Sequence, residues 1–443
     1  MRWWIYNLFF PLVYLLLLPR YLWRMWRRGG YRRGFGERFA LYGADTRRRL
    51  SERPRVWVHA VSVGEMFLAL KFIEALRAAR PEWGFAVTTT TSTGRAVAAR
   101  ELRPEDVLLY VPCDWPPVIR RALAAIRPRA LLLLECELWP NLIRGAAARG
   151  VPVALLNGRI SERSYRGYRR LRWFFAPVLR SLTLLLAQTE ADAQRLRELG
   201  APTERLRVMG SAKYDAAPAA PSDAEAAWAR LEAYGIRRGD PLIVGGSTWP
   251  GEERALVEAW RALRADAPRL KLILVPRHAE RGNEVEEVVR AAGVPYARRS
   301  AAAGGGGAGP EAQILLADTT GELRLWYACA SVVFVGKSLT CHGGQNPIEP
   351  ATFGKPIVTG PYMENFAEVM EDFRAAQAVV QVANAAELRE ALRRLLGDER
   401  RREAYGQRAG ALVAARRGVM ARSVSELLAA LPAPGTKGHE EAR

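Results

Sequence analysis

The stretch from Gly336 to Pro356, GKSLTCHGGQNPIEPATFGKP, decides the fold prediction because it joins a buried strand to a helix. The run before it, Ser331 to Val335, is apolar and rich in β-branched residues without alternation, which is typical of a strand buried in a parallel sheet. The loop therefore leaves the carboxyl end of a strand. In open α/β sheets this is the edge at which ligands bind.

The loop itself has the features of a ligand site. Its glycines allow the backbone to approach a ligand closely, and Asn346 and Pro347 predict a helix start, as N-cap and first helical residue. The free N–H groups at such a start favour phosphate. A structural alternative stays open, because Asn346 and Glu349 also have the spacing of a capping box and glycines also turn chains.

Length and composition bound the class of protein. A chain of 443 residues is long for one core, so we predict two domains. The net charge of +20 implies an acidic partner, which could be nucleic acid, an anionic membrane or a phosphorylated substrate. The four cysteines show no paired spacing and favour reduced, cytoplasmic thiols. The four histidines are too scattered for a metal signature, so we predict no metal site.

The excess arginines fall into two clusters. The first directly follows the apolar N-terminus and comprises Arg20, Arg24, Arg27, Arg28, Arg32, Arg33 and Arg38. The second is interleaved with aromatic residues and comprises Arg159, Arg163, Arg166, Arg169, Arg170 and Arg172, with Tyr165, Tyr168 and Trp173. The location of these clusters favours a membrane or a phosphorylated substrate over nucleic acid.

Residues 1–28 predict an N-terminal membrane-anchoring helix. The segment from Trp3 to Trp26 is apolar and aromatic and lacks the cleavage site of a signal peptide. About sixteen residues precede Pro19, which is short of the roughly 20 of a full span. A short tilted anchor and an interfacial helix both fit, and a core helix is the alternative. With the arginines on the C-terminal side of the segment, the body of the protein is expected to lie in the cytoplasm.

Strands and helices alternate twice along the chain, which indicates an α/β class with two doubly wound, Rossmann-like domains. The expected domains are residues 29–215 and 241–432, with a linker at 216–240 and a flexible tail at 433–443. A mobile surface loop is expected from Ala301 to Gly309. The predicted strands are Val56 to Ala60, Gly84 to Thr89, Ala130 to Leu134, Val151 to Leu156 and Thr183 to Ala187, then Leu242 to Gly246, Leu270 to Pro276, Ser331 to Val335 and Pro356 to Gly360.

An ordered set of motifs gives the sequence a family resemblance. They are HAVSVGE (His59 to Glu65), ECELWPN (Glu135 to Asn141), NGRISERS (Asn157 to Ser164), PRHAER (Pro276 to Arg281), DTTGEL (Asp318 to Leu323) and GGQNPIEPA (Gly343 to Ala351). Because it contains these motifs in this order, the chain resembles the Kdo transferases of lipopolysaccharide assembly over nearly its whole length. The resemblance implies a GT-B architecture, with two domains facing a cleft. It also implies transfer of the acidic sugar Kdo from CMP-Kdo to a lipid A precursor at the inner membrane, without cofactor or metal.

Glu65 is the first candidate for chemistry. Glycosyl transfer needs a base for the acceptor hydroxyl, and a carboxylate at the end of a strand-to-helix loop should point over the sheet edge. The resemblance places the family's general base at Glu65, although Ser62 and Glu65 also have capping-box spacing. By the same resemblance Glu135 and Lys213 stabilise the transition state, a role that suits one negative and one positive group. The alternatives are a strand-end acid and a surface lysine.

The resemblance places CMP in the second domain. Arg277 could bind phosphate or cytosine with its planar fork of donors, and Glu349 could accept from ribose hydroxyls. The GGST run, Gly245 to Thr248, could approach the donor. The matching nucleotide-contacting positions are Pro276, Arg277, Thr320, Gly321, Glu322, Asn346, Pro347, Ile348 and Glu349.

The chain departs from the family pattern at four donor-side positions. Gln345 and Trp249 stand where the family usually has His, Lys337 where it has Gly, and Thr320 where it has Met. An added lysine near the donor could strengthen anion binding. On the acceptor side, the basic patch of Arg159, Arg163, Arg166, Arg169 and Arg170 suits the phosphates of a lipid A precursor, with a solvated helix face as the alternative.

Two alternative functions stay open on the sequence. A GT-B transferase with another nucleotide sugar would keep the fold and change the donor. A membrane-tethered nucleic-acid binder would explain the charge, but the sequence contains no RRM, KH or zinc pattern, so we predict no nucleic acid as a partner. The anionic inner membrane is the third expected partner, beside CMP-Kdo and the lipid A precursor.

Overall fold

The computed structural model describes residues 3–28, 34–216, 224–302 and 311–431. Several predictions lie outside these residues: part of the linker (217–223), nearly all of the Gly/Ala-rich loop (303–310), the tail (433–443), and Arg32 and Arg33. The side chains of residues 20–28 also lie outside them. The chain divides into two compact units, Met1–Ala216 with Gly418–Arg443, and Ala217–Arg417.

The first unit alternates strands and helices. Its helices are α1 (Trp3–Arg28), α2 (Ala44–Ser51), α3 (Val63–Ala79), α4 (Ser92–Glu101), α5 (Pro116–Ile126), α6 (Pro140–Ala147), α7 (Glu162–Arg170), α8 (Arg172–Arg180), α9 (Glu190–Leu199) and α10 (Lys213–Ala216). Its strands are β1 (Arg55–His59), β2 (Gly84–Thr89), β3 (Val107–Tyr110), β4 (Pro128–Leu134), β5 (Val153–Gly158), β6 (Leu184–Ala187) and β7 (Leu206–Val208).

Within the described residues these strands form one seven-stranded parallel sheet in the order β3-β2-β1-β4-β5-β6-β7. Both faces of the sheet are covered. Val56 and Val58 belong to a core with α3, whereas Trp57 between them belongs to a core with α5 and α6. Because both faces are buried, β4 carries the unbroken leucine run that made it predictable.

Helix α1 rests on the first unit by one face. The Tyr6 hydroxyl donates to Asp114 (2.9 Å), and the Asn141 side chain donates to Asn7 (2.8 Å). The Trp3 ring lies 4.8 Å from that of Phe174. The exposed large side chains of α1 lie on its remaining surface: Trp4, Ile5, Leu8, Phe9, Leu12, Val13, Leu15 and Leu16.

None of the helices in the described part of the chain combines the length and the apolar character needed to cross a membrane. The helix predicted at the N-terminus is present, with Pro11 and Pro19 inside it. Its role as a membrane anchor stays a prediction.

The second unit repeats the pattern. Its helices are α11 (Ala224–Glu232), α12 (Glu252–Leu263), α13 (Gly282–Arg290), α14 (Arg299–Ala302), α15 (Leu323–Cys329), α16 (Ile348–Ala351), α17 (Ala367–Ala375), α18 (Ala385–Gly397) and α19 (Glu399–Arg416). Its strands are β8 (Leu242–Thr248), β9 (Lys271–Pro276), β10 (Tyr296–Arg298), β11 (Ile314–Leu316), β12 (Val332–Val335), β13 (Ile357–Thr359) and β14 (Val380–Gln381). Among the described residues they form a parallel sheet in the order β10-β11-β9-β8-β12-β13-β14.

Two boundaries differ from those expected. The last helix, α20 (Val419–Ala430), was expected in the second domain but belongs to the first unit. The Asp215 carboxylate accepts hydrogen bonds from the N–H groups of Gly418 (2.7 Å) and Met420 (2.6 Å), and α20 packs on the α3 side of the sheet. In the expected linker, α11 is folded into the second unit, because Ala227 and Leu231 are buried.

Candidate active site

The predicted catalytic residues all lie at the carboxyl edge of the first sheet. Glu65 follows β1, Glu135 follows β4 and Lys213 follows β7. Strands β1 and β4 are neighbours whose onward connections run in opposite directions along the sheet. This reversal is the topological switch point, where open α/β sheets form their ligand crevice. Glu65 and Glu135 flank it.

Glu65 has one carboxylate oxygen fixed. Its backbone N–H donates to Ser62 Oγ (3.2 Å), and its Oε2 accepts from the Val61 N–H (2.9 Å), at the start of α3. The described residues donate no hydrogen bond to Oε1, and the side chain is half-buried. The helix cap and the catalytic role are therefore compatible, since capping uses one oxygen and leaves the other for a proton.

Three carboxylates gather at this edge: Glu65, Glu135 and Glu137. Burial raises the pKa of Glu135, Lys213 and Arg159 lower it, and the charge of Glu65 raises it. Burial, with the charges of Glu65 and Glu135, raises the pKa of Glu137 to about 7. These mutual effects show that the carboxylates and Lys213 lie within electrostatic range of one another.

His59 is a fully buried residue of this site that the prediction left without a role. Its Nδ1 lies 3.0 Å from Thr88 Oγ1 and 3.2 Å from the Thr88 carbonyl oxygen. Its Nε2 has no hydrogen-bond partner among the described residues and lies 3.8 Å from Glu137 Oε2. Burial lowers the pKa of His59 to about 4, so this contact is not an ion pair at neutral pH. His59 lies in the motif HAVSVGE and Glu137 in the motif ECELWPN, and this was the sequence signal that could have pointed to them.

Asn157 positions Lys213. It is buried at the end of β5 with a φ of 54°, and its Oδ1 accepts a hydrogen bond from the Ala212 N–H (3.0 Å). Its carbonyl oxygen accepts from the Gln188 side chain (3.0 Å). The first residue of NGRISERS thus holds the backbone directly before Lys213.

The second arginine cluster is only partly a surface. Arg163, Arg166, Arg169 and Arg170 are exposed on α7, and Arg159 is half-buried at its approach, near Glu135. Tyr165 is buried, and Tyr168 packs against Phe175 with ring centroids 4.5 Å apart. The two tyrosines therefore face the core rather than the exposed arginine surface. Their spacing of three residues puts both on the face of α7 that meets the core.

In the second unit the predicted nucleotide contacts also share a sheet edge, in the loops after β9, β11 and β12. Arg277 is exposed, and its charge lowers the pKa of Glu349, which burial raises. The Asn346 side chain donates to Glu349 (3.2 Å). An arginine, a carboxylate and an amide are thus brought together, a donor and acceptor set that can bind phosphate and ribose.

The remaining predicted contacts differ in what they offer. Thr320 and Gly321 are exposed and Pro276, Pro347 and Ile348 are buried. Glu322 is already engaged, because its carboxylate pairs with Arg299 (3.0 Å) and Arg230 (2.8 Å). Its contribution to a ligand would come from the backbone rather than from the carboxylate.

The loop from Gly336 to Pro356 differs in detail from its prediction. Asn346 caps through the Ile348 N–H (3.0 Å), but the helix that follows, α16, is a single turn, and Pro347 precedes it. Gly344 has a φ of +73°, and a Cβ atom added to it would lie only 2.5 Å from Met363 Sδ. That glycine therefore permits the chain to pack on itself, rather than a ligand to approach.

Glu252 organises this loop and was not predicted. Its buried carboxylate accepts hydrogen bonds from the backbone N–H groups of Lys337 (2.8 Å), Ser338 (2.8 Å) and Leu339 (2.9 Å). It also accepts one from the backbone N–H of Trp249 (2.9 Å). Burial raises the pKa of Glu252 and these N–H groups oppose the rise. No group of metal-ligating side chains occurs in the described part of the chain.

Solved structures share this architecture. The Anabaena protein Alr3699/HepE in complex with UDP is 14% identical, with 85% of this chain and 100% of that chain covered and a TM-score of 0.54. The UDP-GlcNAc 2-epimerase from Neisseria meningitidis is 13% identical, with the same coverage and a TM-score of 0.54. A family profile described as "Glycosyl transferases group 1" matches residues 302–411. The class is therefore that of glycosyltransferases with two parallel-sheet α/β units of the GT-B kind.

Relatives narrow the class. A profile described as "3-Deoxy-D-manno-octulosonic-acid transferase (kdotransferase)" matches residues 33–216. The 3-deoxy-D-manno-octulosonic acid transferase of Bordetella pertussis is 39% identical, covering 92% of this chain and 95% of the relative. That of Haemophilus influenzae is 31% identical, covering 88% and 90%. The chain belongs to the Kdo transferase family and is a Kdo transferase of lipopolysaccharide biosynthesis.

Proposed function

We propose that the protein transfers Kdo from CMP-Kdo to a lipid A precursor, with inversion at the anomeric carbon and with Glu65 as general base. One observation carries the assignment of Glu65: its Oε2 is fixed by Val61 while its Oε1 accepts no hydrogen bond from the described residues. A general base needs this combination of a fixed position and an open lone pair.

In this mechanism the Glu65 carboxylate takes the proton of an acceptor hydroxyl as that oxygen bonds to the anomeric carbon of Kdo. The bond from that carbon to the CMP phosphate breaks and CMP leaves with the electron pair. Lys213 supports the charge of the departing phosphate, and Glu135 opposes the positive charge on the sugar. Arg277, Asn346 and Glu349 hold CMP.

The acceptor and the membrane are proposed from charge and apolarity. The exposed arginines of α7 suit the phosphates of a lipid A precursor. The apolar surface of α1, with Leu12 54% and Leu16 80% exposed, suits the inner membrane. We propose that the catalytic units work on its cytoplasmic side, where α1 holds them next to the lipid acceptor.

Mass spectrometry of a lipid A precursor incubated with the purified protein and CMP-Kdo tests the function. We expect the acceptor to gain the mass of one or more Kdo residues, and CMP to appear in equal number. An acceptor of unchanged mass would contradict the proposal. A parallel reaction with other nucleotide sugars tests the alternative donor.

A further inference from the structure

Lys337 and Trp249 form a contact across the switch point of the second sheet. Trp249 directly follows β8 and Lys337 lies two residues beyond β12, and these neighbouring strands continue in opposite directions along the sheet. The Lys337 ammonium lies 4.5 Å from the centre of the Trp249 ring. A half-buried cation therefore stands at the place where this kind of sheet binds its ligand.

The backbones of both residues are held by one atom. Glu252 Oε2 accepts the N–H groups of Trp249 (2.9 Å) and Lys337 (2.8 Å). Glu252 is itself fully buried, so the two residues cannot separate without leaving a buried carboxylate short of donors. The backbones that carry the ring and the ammonium are thus fixed side by side.

The ammonium is held but not neutralised. No carboxylate lies within ion-pair distance of it among the described residues; the indole face is its contact. On another side of the same ring lies His278, with ring centroids 5.5 Å apart, and His278 follows the exposed Arg277. Lys337 and Arg277 therefore give the edge at β9 and β12 positive charge.

Lys337 also has a backbone conformation that disfavours lysine. Its φ is 56°, in the left-handed region that a glycine adopts without strain. Strained residues persist where the surrounding structure enforces them, and they cluster at ligand sites. A lysine at this position therefore weakens the fold locally, which points to a role for its side chain.

We propose that Lys337, held on Trp249 by Glu252, binds an anionic group of the donor and so determines donor affinity. This rests on the proposed CMP-Kdo donor. Two donor groups have the required charge, the phosphate and the carboxylate of the sugar. Trp249 acts as a positioning residue for the ammonium.

Ligand binding by Lys337→Met, which removes the charge, and Lys337→Gly, which also removes the strain, tests the inference. Titration calorimetry with cytidine and CMP, and kinetics with CMP-Kdo, separate the two donor groups. If Lys337 binds phosphate, CMP should bind about tenfold more weakly to both variants while cytidine binds as before. If it binds the sugar carboxylate, only the KM for CMP-Kdo should rise.

Stability distinguishes this role from a structural one. Lys337→Gly should melt at or above the temperature of the parent protein, although it binds the donor less well. Lys355→Met is the control, because Lys355 is a half-buried lysine before β13, at the opposite edge of the same sheet. It should leave donor affinity unchanged.

Two outcomes would overturn the inference in different ways. If both Lys337 variants bind cytidine, CMP and CMP-Kdo like the parent protein, Lys337 has no role in donor binding and the proposed donor stands. If the parent protein binds neither CMP nor CMP-Kdo, the proposed donor fails and the role of Lys337 fails with it.

Discussion

Nε2 of His59 lies 3.8 Å from Oε2 of Glu137 in the first unit. His59 is uncharged at neutral pH and offers Glu137 no positive charge, and burial raises the pKa of Glu137. The charges of Glu65 and Glu135 act in the same direction. Trp139 Nε1 donates to Glu137 Oε2 (2.9 Å) and opposes them. With a pKa of about 7, Glu137 is therefore protonated in only part of the molecules at neutral pH.

We expect Glu137→Gln to stabilise the protein at pH 8 and not at pH 4. The pKa of Glu137 rises from 4.5 unfolded to about 7 folded, so the parent protein loses stability as pH rises through this window. The variant avoids that loss, on the order of 2–3 kcal/mol. Thermal unfolding at both pH values measures it, with exposed Glu101→Gln as control. An equal gain at pH 4 would rule out the proton as its cause.

Glu65→Gln should abolish transfer and preserve the fold. A glutamine oxygen can still accept from the Val61 N–H, but it cannot take a proton, so we expect kcat to fall about 100-fold or more. CMP binding should stay within about twofold, because the proposed CMP contacts belong to the second unit. Initial rates and calorimetry measure the two effects.

Ser62→Ala is the matched control for Glu65→Gln. It removes the hydrogen bond to the Glu65 N–H and leaves the carboxylate, so stability should fall by about 1 kcal/mol while turnover is largely kept. If Ser62→Ala abolished transfer and Glu65→Gln did not, the helix cap rather than the base would be the role of this segment.

Most strands that are buried on both faces were predictable, and contacts between distant residues were not. The run from Leu131 to Leu134 identified β4 within two residues. Strands β3, β7, β10, β11 and β14 were missed, since they have two to four residues and their patterns are too short to stand out. Helix α20 was assigned to the wrong unit because its cap, Asp215, lies about two hundred residues earlier.

The candidate sites show the same division. Glu65 and Glu135 were found because each follows a recognisable strand, and strand ends converge at one edge. Lys337 and Trp249 were noticed as separate departures, and their contact became visible only in the structure. Glu252 left no signal beyond its helix start, because its loop partners lie 85 to 87 residues away.

Glu252→Gln should loosen the loop after β12. The amide keeps one acceptor oxygen and turns a donor toward N–H groups that already donate, so exchange of the amide protons of Lys337, Ser338 and Leu339 should accelerate about tenfold or more. Hydrogen exchange read by mass spectrometry measures this. Glu258→Gln is the control, since Glu258 is exposed on the same helix, α12. Unchanged protection in Glu252→Gln would show that other contacts hold the loop.

The exposed face of α1 should bind anionic vesicles through its apolar side chains. Replacing Leu12 and Leu16 together with glutamate puts two charges on this face while Tyr6 and Asn7 still hold the helix in place. Because burial of one leucine stabilises by about 1.5–3 kcal/mol, vesicle binding should weaken at least about tenfold. Co-sedimentation with vesicles measures it. Leu41→Glu, at another exposed leucine of the first unit, should bind as the parent does, and an equal loss there would mean that charge alone, not α1, governs binding.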